Sequence, residues 1–142
     1  MYLVDQFLRR KPGPVRTIAP EATVLDAAGV MNDHRIGALV VVKGEDPVGI
    51  ITERDILTRV VAAERSPADT KVSDVMTTHL ITCTRRSELD EVRRAMRDRR
   101  IRHIPVVEGG RLVGMVSIGD LNQAETQALS ATLTYLEEYI TH

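Results

Sequence analysis

Tryptophan is missing from this chain, phenylalanine occurs once and tyrosine three times. A surface that stacks nucleic-acid bases on aromatic rings is therefore not expected. Cysteine occurs once, at Cys83, which excludes an internal disulfide, and no cysteines and histidines have the spacing of a zinc site. Charge of one sign is not in excess. A formal net charge of −1 describes neither a polycation nor an acidic disordered tail. No apolar run approaches the roughly 18 residues that a membrane-spanning helix needs, and the opening MYLVDQFLRRK lacks a long apolar segment followed by a cleavage site. A soluble, cytoplasmic protein is expected, without membrane contact. A nucleophile elbow, a P-loop and a paired-histidine metal motif are also missing. Cys83 has no evident base and sits as a small core residue in a short expected strand. The chain is not expected to be an enzyme or to hold a metal.

What the chain does contain is a repeat. A shift of 65 positions pairs Thr17 with Thr82, Met31 with Met96, Asp33 with Asp98, Ile36 with Ile101, Gly49 with Gly114 and Asp55 with Asp120, without a gap. GIITERD at Gly49–Asp55 thereby answers GMVSIGD at Gly114–Asp120. Upstream, VDQFL matches VSDVM at an offset of 68, so the first copy carries three extra residues around Lys11-Pro12-Gly13-Pro14. The stretch RSPADT near Arg65 to Thr70 breaks periodicity and marks the boundary. The division is residues 1–66, 67–122, and a tail at 123–142.

Each copy has one order of elements. A short extended segment (Val15 to Ile18; Leu80 to Cys83) leads to a helix opened by a capping box, Thr23-x-x-Asp26 or Ser87-x-x-Asp90. Apolar residues follow at helical spacing, then two apolar runs separated by KGED or EGGR, which predict a β-hairpin. A second helix begins at Thr52 or Ser117. The fold class is α/β, of the α+β kind, with a β-α-β-β-α unit written twice.

This unit, the HIPVV run, the VSDVMT lead-in and the glycine-apolar-apolar-Thr/Ser-x-x-Asp ending resemble a CBS domain, and two in tandem resemble a Bateman module. The resemblance covers about residues 1 to 122. It implies two copies related by a pseudo-two-fold axis, with clefts between them that hold adenosine nucleotides, as in stand-alone bacterial two-CBS proteins. AMP, ADP or ATP is the expected ligand, NAD(H) or an S-adenosyl compound the alternative, and a structural docking module with empty clefts the rival.

Thr52-x-x-Asp55 and Ser117-x-x-Asp120 are capping boxes on spacing alone, a role sufficient in itself. The resemblance adds a ligand: the helix start suits a phosphate and the carboxylate suits the two hydroxyls of a ribose. Between them, Arg54 offers a guanidinium to phosphate, or is an exposed helix residue, while Gly119 lets a ligand approach the backbone. The resemblance also implies that the segment before the second strand of one copy faces the Asp helix of the other. Ile101, Arg102 and His103 would then face Asp55, and Ile36, Gly37 and Ala38 would face Asp120, giving a basic cleft and an uncharged one. His103 serves equally as a hydrogen-bonded structural histidine. Ile18 and Thr82, on the leading strands, complete the candidate nucleotide-binding residues.

The run RRAMRDRRIRH at Arg93–His103 holds six arginines. It is expected to be a solvated helix face, which leaves nucleic acid out as a partner. In the tail, Leu129, Leu133, Leu136 and Ile140 recur at i, i+4, i+7 and i+11, predicting a long amphipathic helix. Its stripe either folds back or meets a second subunit. The resemblance to CBS pairs implies a homodimer, with this helix and VDQFL as candidate interface elements, and an unidentified protein as the regulated target.

Overall fold

Two short lead-in helices cross from one repeat to the other, and the rest of the architecture is built around that exchange. The computed structural model describes residues 2–11 and 13–141. The first repeat comprises α1 (Val4–Arg10), β1 (Thr17–Ile18), α2 (Val24–His34), β2 (Ala38–Lys43), β3 (Asp46–Thr52) and α3 (Glu53–Ile56), which runs on into a π-helical turn at Leu57–Val61. After a 3-10 turn at Pro67–Asp69 the second comprises α4 (Val72–Val75), α5 (Leu89–Arg99), β4 (His103–Glu108), β5 (Arg111–Ser117) and the long α6 (Ile118–Thr141).

The halves repeat each other down to local irregularities. Helices α2 and α5 both end on a left-handed residue, Arg35 and Arg100, each at φ 54°. Both hairpins are antiparallel, and both slip register at one place, between Val41 and Val42 and between Val106 and Val107. The second hairpin turns on Gly109 and Gly110, at φ 56° and 80°, where a side chain would be strained.

Differences between the repeats have local causes. β1 pairs in parallel with β2 through Thr17 and Ile18 only, shorter than the expected Val15 to Ile18. The expected strand Leu80 to Cys83 reduces to a single parallel bridge, with Cys83 N–H donating to Pro105 O at 3.0 Å and Val107 N–H to Cys83 O at 2.9 Å. Thr23 and Asp26 form the expected capping box on α2. Ser87 does not cap α5, because its Oγ accepts from Thr84 N–H at 3.0 Å and closes a turn instead. That helix starts one residue later, after Glu88, and Leu89 N–H finds Tyr2 O at 3.0 Å.

Two cores result. The first gathers Ile18, Val24, Met31, Leu39, Ile51 and Val60 with Val72 and Val75 from α4 of the second repeat. The second gathers Val92, Met96, Ile104, Val106, Val116 and Leu121 with Val4 and Phe7 from α1 of the first. Each lead-in places its two apolar residues at i and i+3, on one helix face, and gives them to the other half. Reciprocal backbone bonds fix the exchange. Val24 N–H donates to Thr70 O and Val72 N–H to Ala22 O, both at 2.8 Å, while Val4 N–H donates to Ser87 O at 2.8 Å. VDQFL is therefore buried in its own chain at Val4 and Phe7, so those two side chains are not available to a subunit interface. Burial of side chains of this size contributes about 1.5–3 kcal/mol each.

The repeated glycine belongs to the same exchange. Thr77, just past α4, bridges to Ile50 through two backbone bonds of 2.8 and 2.9 Å. A Cβ on Gly49 would stand 2.7 Å from Met76 Sδ and 3.0 Å from the Thr77 carbonyl. A Cβ on Gly114 would meet Leu8 of the other lead-in at 2.7 Å. Gly119 has no such neighbour closer than 4.0 Å. Gly49→Ala is accordingly expected to destabilise the protein by about 1–3 kcal/mol through overpacking, with Gly119→Ala near neutral. Urea denaturation of both variants checks this, and equal midpoints would contradict the close approach.

Candidate functional site

The two Thr/Ser-x-x-Asp segments sit at the starts of α3 and α6, each delivered by the second strand of its hairpin, and they are used differently. Thr52 caps α3 by accepting from Asp55 N–H at 3.1 Å, and the Asp55 carboxylate turns back to accept from Thr52 N–H at 3.0 Å. The Thr77 hydroxyl donates to the same carboxylate at 3.2 Å, and Arg59 Nε lies 3.9 Å away. Asp55 is 7% exposed. Its oxygens are committed to the protein.

Ser117 also caps, accepting from Asp120 N–H at 3.1 Å, but the Asp120 carboxylate does not return to the backbone. It accepts from the Ser117 hydroxyl at 2.7 Å and forms an ion pair with Lys11. Its side chain is 32% exposed, against 10% for Asp55. Burial pushes the Asp120 carboxyl up, yet the hydrogen bonds from Lys11 and Ser117 and the Lys11 charge prevail and hold it below its ordinary value.

Asp120 opens into a cavity of about 720 Å³ between the repeats. Ser117 and Gly119 line it with Asp120, and Ile36, Gly37 and Ala38 line it from the other repeat, so these six sequence-selected residues come together. Val15, Val113 and Met115 add apolar wall. The cavity is not the uncharged cleft expected from Gly37 and Ala38. Arg9, Lys11, Arg16, Arg35 and Arg85 line it too, mostly from segments outside the matched motifs. One signal pointed to part of this set, the extra residues around Lys11 to Pro14.

His103 lies in this cavity and not with Asp55. The backbone bends at Arg102 and β4 begins only at His103, and the two neighbours line different cavities. The imidazole approaches Gly37, whose added Cβ would be 3.4 Å from His103 Cε1 and 2.3 Å from Glu53 Oε1. Burial pushes His103 below its ordinary value, against the upward pull of Glu53 and Asp120, and Lys11 and Arg102 add to the lowering.

On the other side, Arg54, Ile101 and Arg102 line a smaller cavity of about 460 Å³, with Arg93, Arg97 and Arg100. Arg54 donates to Arg100 O at 3.4 Å. Neither Thr52 nor Asp55 lines this cavity. Ile18 is buried in the first core and Thr82 is exposed, and both stand outside the two cavities. Within the basic run, Arg93 pairs with Glu125 at 3.1 Å and Arg97 with Asp98 at 3.6 Å. No group of histidines, cysteines and carboxylates suited to a metal occurs among the described residues, and none of their helices is long and apolar enough to cross a membrane.

Two repeats that exchange lead-ins around paired clefts have a counterpart among known families. The family model for the CBS domain matches residues 4–62 and again 72–126. The chain is a CBS-domain protein. It is 46% identical over 123 residues to the mitochondrial CBS domain-containing protein CBSX3 of Arabidopsis thaliana, covering 83% of this chain and 60% of that one, so it spans well under the relative's full length. A protein with CBS domains from Burkholderia ambifaria is 40% identical, with a TM-score of 0.83, covering 87% of this chain and 93% of that structure. The CBS domain pair of protein MJ0100, solved with 5′-methylthioadenosine and S-adenosyl-L-methionine, is 26% identical, with a TM-score of 0.80, over 90% of this chain and 98% of that one.

The lowered His103 value sets a pH dependence for this CBS pair. Folding favours the neutral imidazole, so its contribution to stability is complete above the unfolded value of about 6.5 and is lost as pH falls towards the lower folded value. Asp120, held below the ordinary carboxyl range, does not titrate in that window. Melting temperature is expected to drop between about pH 7.5 and about pH 5.5, and His103→Asn to flatten the drop. An equal drop in the variant would contradict the assignment.

Proposed function

We propose that this CBS pair is a regulatory sensor of adenine nucleotides, AMP, ADP or ATP, with no chemistry of its own, and that its nucleotide site is the Asp120 cavity. The observation that carries the proposal is the Asp120 carboxylate at the edge of a cavity that is apolar on one wall and basic around it. A carboxylate accepts both hydroxyls of a ribose, the apolar residues suit an adenine face, and the guanidinium groups suit phosphate. MJ0100, which binds adenosine compounds in the same fold, supports the adenosine half of the proposal. It also favours a second reading, an S-adenosyl ligand. That ligand carries a sulfonium cation, which the Arg9, Lys11, Arg16 and Arg85 surroundings disfavour, so phosphorylated ligands, with NAD(H) among them, come first. Asp55, committed to Thr52 and Thr77, serves α3 and not a ribose in this proposal.

Titration calorimetry with AMP and ATP tests the assignment. Asp120→Ala is expected to cost tenfold or more in affinity, since hydrogen bonds to a charged acceptor contribute about 1.5–3 kcal/mol each. Asp55→Ala should leave affinity within about threefold while lowering stability by about 1–3 kcal/mol, because it orphans Thr52 N–H and the Thr77 hydroxyl. Unchanged affinity in Asp120→Ala, with a nucleotide that binds the wild type, would end the proposal.

The sensor is proposed to act as a homodimer. The tail does not fold back: Leu129, Leu133, Leu136 and Ile140 on α6 are 61%, 53%, 47% and 80% exposed. Their steps of four, three and four follow the alternation of a heptad seam between two helices, and a second copy supplies an identical seam. Sedimentation is expected to give a dimer for the wild type and a monomer for the double variant Leu133→Lys, Leu136→Lys. A variant that sediments as the wild type does would place the interface elsewhere.

A further inference from the structure

Lys11 is the feature of the Asp120 cavity that the 65-residue repeat does not account for. It lies at the head of the extra residues that the first repeat carries before β1. From there its ammonium reaches across 109 positions of sequence to the Asp120 carboxylate, and its Nζ also approaches Met115 O at 3.5 Å. Both the ion pair and the residue's place on the cavity wall put this cation where the ribose acceptor stands. The corresponding connection in the second repeat supplies the Thr77 hydroxyl to Asp55, a neutral partner. The segments after the two lead-ins thus reach the two carboxylates differently, one with a charge and one with a dipole.

We infer that Lys11 selects phosphorylated nucleotides in the Asp120 cavity, by exchanging its carboxylate partner for the ligand's phosphate. The inference rests on the Asp120 cavity being the nucleotide site. A ribose diol that hydrogen-bonds to Asp120 competes with the ammonium for the same oxygens. A lysine released from its carboxylate leaves a local excess of positive charge with Arg9, Arg16, Arg35 and Arg85 around the cavity, which an anionic ligand relieves and a neutral one does not. The 5′-phosphate of a nucleotide lies one sugar ring away from the diol, and a lysine crosses that span by rotating about its flexible four-carbon stem. A nucleoside without phosphate takes the carboxylate and returns nothing to the cation. The exchange therefore penalises adenosine and compensates AMP. In the empty protein Lys11 keeps Asp120 paired, much as Thr77 keeps Asp55.

The test is the ratio of AMP to adenosine affinity, measured by titration calorimetry on the full chain for wild type, Lys11→Ala and Lys11→Arg. Lys11 is exposed and outside both cores, so the variants are expected to fold. In Lys11→Ala the ratio should fall about tenfold, the size of one charge-assisted contact, with adenosine binding as well as or better than before. Lys11→Arg should keep most of the preference for AMP. An unchanged ratio in Lys11→Ala, or an equal loss for both ligands, overturns the selecting role while leaving the nucleotide site in place. A wild-type protein that binds neither ligand ends the nucleotide site itself, and this inference with it.

Discussion

The reciprocal loan of lead-in helices is the constraint on which the rest of this molecule depends. Neither repeat completes its core from its own residues. The first needs Val72 and Val75, and the second needs Val4 and Phe7. A lead-in that crosses over must pass close to the partner hairpin, and the glycines at 49 and 114 make room for it. The same crossing carries the segments just after the lead-ins, which hold Thr77 and Lys11, onto the hydroxyl-and-aspartate helix starts of the opposite hairpins. Packing and the placement of partners on the two carboxylates therefore share one cause.

From this shared scaffold the two clefts diverge through a few side chains. Asp55 meets a threonine, turns to its own backbone and is buried with Thr77. Asp120 meets a lysine, stays at the cavity edge and is held ionised by Lys11 and Ser117 in spite of partial burial. The free energy of a carboxylate is set by its partners, so two copies of one motif can serve a helix in one half and face a ligand in the other. His103 sits where the halves touch, near Gly37 and Glu53, and its partial burial there lowers its basicity.

Much of this was legible in the sequence because local patterns are enforced locally. The 65-residue register placed both hairpins, and the Thr23-x-x-Asp26 and Thr52-x-x-Asp55 spacings marked true capping boxes. Six residues chosen for the second cleft, from Ile36 to Asp120, do line one cavity. The failures have physical reasons of their own. Ser87 matched a capping box, but Thr84 N–H, equally near in sequence, takes its hydroxyl and closes a turn. Arg102 and His103 adjoin in sequence, but the chain bends at Arg102 before β4 begins at His103, and the two side chains line different cavities. VDQFL looked free to meet another subunit because its apolar residues find their core some eighty positions later, and no periodic pattern reports a contact of that range. Lys11 escaped for the same reason, with only the irregular offset around it as a trace.

The central claim is that a nucleotide enters this protein at Asp120 and not at the matching Asp55. A crystal structure of the chain grown with AMP tests it most directly. The account predicts the ribose hydroxyls on the Asp120 carboxylate, the base against the Ile36 to Ala38 side of the cavity, and Asp55 still bonded to Thr52 N–H and the Thr77 hydroxyl. A ribose bound to Asp55, with Lys11 and Asp120 still paired, would contradict it.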